Sequence, residues 1–276
     1  RGCNGCGAGC RGHVGGPRGV RIVQGWVAQA GVQCAQMARR GITGPVNFLA
    51  GHYGFAHLYG RDTLDPEHVM HGLGDTWKLH NVVFKKYPSC GVTQGVTELT
   101  LALVSELHLK PSDVQAAELR LPAYAHRLVG HPFQLGANPR VDAQFSAAYC
   151  VANALIRQSS RLQHFSPEQV HDPVLHEMIG RISVIADPAL DARGHAAVDL
   201  VLTTTDGRRH ARQLDMPPGF PGAELDDAQH LARFQDCLAY APHPPLSLQT
   251  ETFLQRLDAL ATLADVRELL PLLTVQ

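Results

Sequence analysis

Apolar and polar residues follow two different spacings along this chain. From Thr93 to Leu107 the apolar residues recur at helical spacing, which predicts an amphipathic helix. From Val114 to Leu121 they alternate with polar residues, which predicts a half-buried strand. Three more strands are predicted at 182–186, 198–204 and 208–214, with Asp206-Gly207 as the hairpin turn between the last two. The middle of the chain is therefore predicted to be α+β.

Helical spacing also marks both ends of the chain. A largely apolar stretch from Trp26 to Ala38, closed by Arg39-Arg40-Gly41, predicts a buried helix. The segment from Pro217 to Gly222 is rich in proline and glycine, which predicts a linker. Further helices are predicted at 45–58, from Asp65 onward, at 142–156, from Ser166 onward, and at 225–238, 248–263 and 266–273.

Charge and composition narrow the classes of partner. Lys and Arg number 24 against 25 Asp and Glu, a net charge of -1, so neither nucleic acid nor an anionic membrane is expected as the main partner. No apolar run is long enough to span a bilayer and no signal-peptide core is visible, so we expect a cytosolic protein. The scattered residues Cys34, Cys90, Cys150 and Cys237 are expected to be reduced and mostly buried.

The first nineteen residues differ from the rest of the chain. They are rich in glycine and hold Val14 as their one strongly apolar side chain, so residues 1–19 are expected to be disordered. The spacing of Cys3, Cys6, Cys10 and His13 offers metal-ligand types, but a second ligand pair and a scaffold are missing, and we expect no metal site. Because Arg1 stands where a Met would, we expect either a fragment or a beginning that is not native coding sequence.

The stretch from Phe84 to Gln94 has the character of a binding site. Pro88 ends any preceding helical pattern, and the small residues after it form a turn at the start of the predicted 93–107 helix. The free N–H groups and positive dipole end of a helix favour an anion, and Lys85 and Lys86 add positive charge. A carboxylate suits this position, although adjacent lysines are more often a solvated pair.

These residues also carry a family resemblance. The sequence Lys85-x-Tyr87-Pro88-Ser89-Cys90, followed by an apolar helix, resembles the K-P-Y-P-S-C-x-x-T-H segment of the MmgE/PrpD family, which includes 2-methylcitrate dehydratase, cis-aconitate decarboxylase and iminodisuccinate epimerase. Segments 25–31 with 39–45, and 143–152, match in the same order. The resemblance implies an α+β fold in which a partial all-helical domain, at 20–85 and 223–276, carries an inserted small α+β domain with linker at 86–222.

The resemblance also implies a function and a set of site residues. It implies a lyase or isomerase that acts on a small polycarboxylate as a homodimer, with no metal and no organic cofactor. Lys85 would hold a carboxylate and stabilise the enediolate formed beside it. Tyr124 and His126, just after the 114–121 strand, lie where the family carries polar active-site residues, although both types are often merely half-buried surface. The remaining substrate-binding candidates are Lys86, Ser89 and Gln94.

Departures from the family pattern support a competing hypothesis. Val23 stands at one family histidine position and Gln94 at another, and neither side chain titrates. The D-F-D-D-T-H type segment is absent from the chain. We therefore expect the chain as given to be incomplete and not to turn over cis-aconitate or 2-methylcitrate. The alternative is a non-catalytic remnant that keeps the fold, or a dimerisation module. His52 and His57, five apart on a predicted helix, are not expected to form a metal site.

Overall fold

A computed structural model describes residues 19–61, 63–243 and 247–273, in two compact units, one ending at Val82 and the other beginning at Val83. Residues 1–18 of the segment predicted to be disordered lie outside the described residues, and with them Cys3, Cys6, Cys10 and His13. The side chain of Val23 also lies outside the described part.

The first unit is helical. It contains α1 (Gly19–Arg39), α2 (Phe55–Gly60), α3 (Pro66–Met70) and a 3-10 turn at Lys78–Asn81. The start signal before α3 is confirmed, because the Asp65 carboxylate accepts a hydrogen bond from the Glu67 N–H at 3.0 Å. The predicted helix at 45–58 is wrong in its first two thirds. Gly51 there adopts a φ of 85°, a left-handed conformation that interrupts a right-handed helix.

The predicted burial of α1 is also wrong within the described residues. Trp26 and Val27 are 52% and 56% exposed, and Val32 and Met37 are exposed as well. The helix carries no charged residue between Trp26 and Ala38, and a helix with so few charged groups normally lies in a protein interior. It therefore presents an apolar surface suited to association.

The second unit is built on a four-stranded sheet in the order β2-β1-β3-β4. Strand β1 pairs in parallel with β2 and antiparallel with β3, and β3 forms an antiparallel hairpin with β4. The strands are β1 (Val114–Leu121), β2 (Ile182–Ala186), β3 (Val198–Thr204) and β4 (Arg209–Leu214). The helices described in this unit are α4 (Gln94–Leu107), α5 (Ala123–Val129), α6 (Pro139–Gln144), α7 (Ala147–Arg157), α8 (Pro167–Val170), α9 (Pro173–Ile179), α10 (Asp227–Tyr240), α11 (Ser247–Asp258) and α12 (Leu270–Leu273).

One face of the sheet forms the core of this unit. Alternate residues of the two central strands point inward, and Leu119, Leu121, Leu200 and Leu202 are fully buried. Helix α4 contacts α7, β3 and β4, and its inward residues Val96 and Leu103 are equally buried. This packing fixes the N-terminal end of α4, where the candidate site begins.

Most predicted elements of this unit are confirmed. Helix α4 and strands β1, β2 and β3 have the predicted ranges to within one residue, and β4 begins one residue late. The predicted helix at 142–156 is instead two helices, α6 and α7, because Ser146 accepts a hydrogen bond from the Tyr149 N–H and caps the second one. Within the described residues, no helix combines the length and the hydropathy that crossing a membrane requires.

The thiols follow the prediction only in part. Cys90 and Cys150 are buried, but Cys34 and Cys237 are exposed. Cys34 lies on α1, whose described side chains are all exposed. Cys237 lies on the exposed side of α10.

Candidate functional site

The side chain of Gln94 closes the turn that carries the two lysines. We call residues 84–94 the lysine turn. The Gln94 amide is fully buried, and its Oε1 accepts a hydrogen bond from the Tyr87 N–H at 2.8 Å. Its Nε2 donates to the carbonyl oxygens of Tyr87 and Cys90 at 3.0 and 3.1 Å. One amide thus holds the backbone on both sides of Pro88 and Ser89, so the contacts of Gln94 are internal to the protein.

Ser89 belongs to the same buried network. Its Oγ lies 2.7 Å from Thr93 Oγ1, which donates to the Cys90 carbonyl at 2.9 Å. Helix α6 fixes the turn from outside, because the Cys90 N–H donates to the Gln144 carbonyl at 2.9 Å and Gln144 Nε2 donates to the Pro88 carbonyl at 2.8 Å. The roles of Ser89 and Gln94 as substrate ligands stay predictions, and both residues hold the turn in shape.

The two lysines occupy different environments. Lys86 is half-buried, and its Nζ forms an ion pair with Glu98 Oε2 at 2.9 Å. Glu98 Oε2 also accepts a hydrogen bond from the Tyr87 hydroxyl at 2.5 Å, and burial together with this carboxylate raises the pKa of Tyr87. Lys85 is exposed and forms no ion pair with a described residue. The charge of Lys85 is therefore available to an anionic ligand, whereas Lys86 is neutralised locally.

The buried thiols beside the turn are poor nucleophiles. Burial raises the pKa of Cys90, although the Val92 N–H and the charge of Lys85 act in the opposite direction. Burial raises the pKa of Cys150 to about 12, although the hydroxyls of Thr93 and Ser89 act against it. Both thiols stay protonated at neutral pH. The lysine turn can therefore bind an anion, but its cysteines do not offer a thiolate.

Tyr124 and His126 lie on α5, which directly follows β1. Helix α5 contacts the 3-10 turn at Gly91–Thr93, so the structure brings these two candidates to the same end of the sheet as the lysine turn. Tyr124 is 44% exposed. His126 is half-buried, with its ring centroid 6.5 Å from that of His131. Their catalytic roles stay predictions.

Sequence reasoning missed His195 at this end of the sheet. His195 lies in the loop before β3, and its ring centroid is 6.3 Å from that of Tyr124 and 6.3 Å from that of Phe220. The residue before Phe220, Gly219, accepts a hydrogen bond from the Phe84 N–H at 2.8 Å. No spacing signal in the sequence marks His195, because its neighbours come from distant segments.

Two further features of the structure involve residues other than the predicted site residues. The ring centroids of His52 and His57 are 4.7 Å apart, a closeness that a spacing of five on one helix would not give, because residues 45–53 form turns and no helix. Within the described part of the chain, no third His, Cys, Asp or Glu joins them in a metal-sized group. A shallow cavity of about 320 Å³ opens on the outer face of the sheet, with Glu118, Arg181, Ser183, Thr203 and Arg209 among its lining.

A comparison with known protein families gives a match. The family model of the MmgE/PrpD C-terminal domain matches residues 87–253, which is more than half of the chain and includes most of the second unit. A comparison with curated proteins finds no match. The matched range begins at Tyr87, inside the lysine turn, and contains Tyr124, His126 and His195. The chain belongs to the MmgE/PrpD family and carries its C-terminal domain.

Proposed function

We propose that the chain serves a lyase or isomerase reaction on a small polycarboxylate: dehydration, decarboxylation or epimerisation alpha to a carboxylate. The observation that carries this proposal is the contrast between the two lysines. Lys86 is neutralised by Glu98, whereas Lys85 is exposed beside it without an ion pair to a described residue. A free ammonium group on a rigid turn at the start of a 14-residue helix is suited to holding a carboxylate.

In this proposal Lys85 has two tasks. It binds one carboxylate of the substrate, and it stabilises the negative charge that develops on that carboxylate when the neighbouring carbon loses a proton. The network around Gln94 and Ser89 keeps the turn rigid, so that the charge is positioned before substrate binds. Tyr124 and His126 are the further polar candidates, and the proposed chemistry uses neither a metal nor an organic cofactor.

Binding of citrate tests the role of Lys85. The full chain is titrated with citrate by calorimetry beside the variants Lys85→Ala and Lys110→Ala. Lys110 is an exposed lysine of the same unit outside the lysine turn, so it is a matched control for charge. We expect Lys85→Ala to weaken binding at least about tenfold, as loss of a charge-assisted hydrogen bond does, and Lys110→Ala to leave it unchanged. Equal effects of the two variants, or no citrate binding by the unmodified chain, would refute the proposal.

The finer domain assignment and the dimer are also proposals. We propose that residues 20–85 and 223–276 belong to one helical domain, into which the α+β domain at 86–222 is inserted, and that the protein works as a homodimer. Support for self-association comes from the apolar side chains exposed on the first unit, where Trp26, Phe48 and Trp77 are 52%, 59% and 67% exposed.

The same exposed side chains favour a second candidate function, a non-catalytic or dimerisation module that keeps the fold. Light scattering after size exclusion, combined with proton–deuterium exchange of citrate followed by NMR, separates the two candidates. A stable dimer without Lys85-dependent exchange favours the module. Exchange above background that Lys85→Ala abolishes favours the lyase or isomerase.

A further inference from the structure

We propose that His195 transfers the proton at the site of the lysine turn, an inference that rests on the proposed function. The sequence offers no histidine at the family positions occupied by Val23 and Gln94, yet the reaction requires a group that accepts a proton from carbon. Histidine is the side-chain type that gains and loses a proton near neutral pH. The structure places such a residue beside Tyr124.

His195 is linked to the lysine turn by two short steps. Its ring packs on Phe220 with centroids 6.3 Å apart, and the adjacent residue Gly219 binds the backbone of Phe84. Lys85 follows Phe84 directly in the chain. On its other side the His195 ring meets Tyr124 edge to face, at 6.3 Å and 79°. His195 thus lies between Tyr124 of α5 and the segment that carries Lys85.

The loop that carries His195 is held in place from both sides. Asp191 Oδ1 accepts a hydrogen bond at 3.0 Å from the Ala123 N–H, the first residue of α5, so this loop and Tyr124 keep a fixed relation. Arg193 Nη1 donates to Asp199 Oδ1 at 2.7 Å, and Arg193 Nε donates to Asp215 Oδ1 at 2.6 Å. An exposed histidine between two such anchors is positioned while it remains accessible to a ligand.

The groups near His195 carry more negative than positive charge. Arg193 forms ion pairs with both Asp199 and Asp215, and Asp191 accepts a hydrogen bond from the first residue of α5, so one arginine stands against three aspartates. The Tyr124 hydroxyl is uncharged. The positive charge that holds a polycarboxylate must therefore come from Lys85 on the adjoining segment, and the proposal places the α-carbon of a ligand held there against the imidazole.

The proposed step is a proton transfer that balances without a co-reactant. The neutral imidazole of His195 takes the proton from the carbon alpha to the carboxylate, the C–H electron pair moves into an enediolate held by Lys85, and imidazolium forms. The imidazolium then returns its proton, either to the departing hydroxyl group as water is lost or to the same carbon, which gives exchange of the proton without loss of water. His195 is regenerated as neutral imidazole in both cases.

Histidine side-chain NMR on the full chain tests this step independently of turnover. Citrate is added to the unmodified protein, to His195→Asn, which assigns the His195 ring signals, and to Lys85→Ala. We expect the His195 ring resonances to move saturably with citrate, at the dissociation constant that calorimetry gives, and to stay fixed in Lys85→Ala. The ring of His108, at the opposite end of α4, should not move.

The outcomes separate this inference from the proposed function. If citrate binds in a Lys85-dependent manner while the His195 signals stay unchanged, His195 is not at the site and the inference fails alone. If citrate does not bind at all, the proposed function fails and the inference with it. As a second readout, His195→Asn should lower citrate proton exchange by about 10²-fold or more, whereas His108→Asn should leave it unchanged. An equal rate in both variants would overturn the inference.

Discussion

Gly219 and Phe84 approach each other so closely that a side chain at position 219 has no room. The Phe84 N–H donates to the Gly219 carbonyl at 2.8 Å, and a Cβ on Gly219 would lie 1.8 Å from the Phe84 carbonyl oxygen. Gly219 also has a φ of 85°, which favours glycine. This contact joins the linker after β4 to the residue before Lys85, so it positions the lysine turn beside Phe220 and His195.

Alanine at two glycines of this linker should have unequal effects. Gly222 has a φ of 90° and open space at its Cβ position, so Gly222→Ala should cost only backbone strain, about 1–2 kcal/mol. Gly219→Ala adds the collision with Phe84 and should cost about 1–3 kcal/mol more in the free energy of unfolding, measured with urea. Equal losses in the two variants would show that the close approach does not constrain the lysine turn.

The substitution Gln94→Glu, which replaces the amide nitrogen by an oxygen, should destabilise the lysine turn. In Gln94→Glu a carboxylate oxygen replaces the Nε2 that donates to the Tyr87 and Cys90 carbonyls, and this leaves three acceptors facing one another in a buried place. We expect a loss of about 2 kcal/mol or more in the free energy of unfolding at pH 7. The loss should shrink as the pH falls from 7 toward about 4, because the buried carboxyl takes up a proton at a higher pH than an unfolded glutamate does and then donates one hydrogen bond again.

Gln163→Glu provides the matched control for this exchange. Gln163 is exposed, so the same change of charge there should alter stability by less than about 0.5 kcal/mol. A Gln94→Glu variant as stable as the control would mean that the bridging amide does not hold the turn.

The sequence predicts the elements that depend on local patterns and misses those that depend on contact between distant segments. Helix α4, strand β1 and the β3–β4 hairpin follow from apolar spacing and from one Asp-Gly turn. The split of 142–156 was missed because Ser146 caps α7 from inside an apolar stretch, and a polar cap there overrides the helical pattern.

The candidate site shows the same division. The resemblance singles out Lys85, but no sequence signal shows that Lys86 is neutralised by Glu98, one turn into α4. Gln94 stands at a family histidine position, yet its amide binds the backbone of Tyr87 inside the turn, which no sequence motif indicates. His195 was missed because its relation to Tyr124 requires α5 and the loop before β3 to be packed together.

The four described cysteines should react with alkylating reagents in two groups. Cys34 and Cys237 are exposed, whereas Cys90 and Cys150 are buried and their pKa values are raised by that burial. Iodoacetamide at pH 7.5 should therefore label Cys34 and Cys237 at least about tenfold faster, as followed by peptide mass spectrometry. In urea all four should react at similar rates. Fast labelling of Cys90 in the folded protein would contradict the rigid turn derived from the Gln94 network.

His164 makes the stability of the second unit sensitive to acid. Its ring is buried, and Nδ1 accepts a hydrogen bond from the Arg161 N–H at 3.2 Å, which requires the unprotonated nitrogen. Burial and the charges of Arg157 and Arg161 lower the pKa of His164 to about 4, and Asp236 acts in the opposite direction. An unfolded histidine titrates near pH 6.5, so the unfolded chain binds more protons than the folded one between about pH 6.5 and pH 4.

The contribution of His164 to stability should thus be complete above about pH 6.5 and should decline as the pH falls toward 4. His164→Asn keeps an acceptor near the Arg161 N–H but does not titrate. Between pH 7 and pH 4.5, its free energy of unfolding should therefore fall by about 2 kcal/mol less than that of the unmodified chain. Urea unfolding at the two pH values measures this difference. The exposed His171 provides the control, since His171→Asn should keep the pH dependence of the unmodified chain. If His164→Asn loses stability as steeply as His171→Asn, the acid sensitivity arises from the carboxylates, and the buried imidazole does not set it.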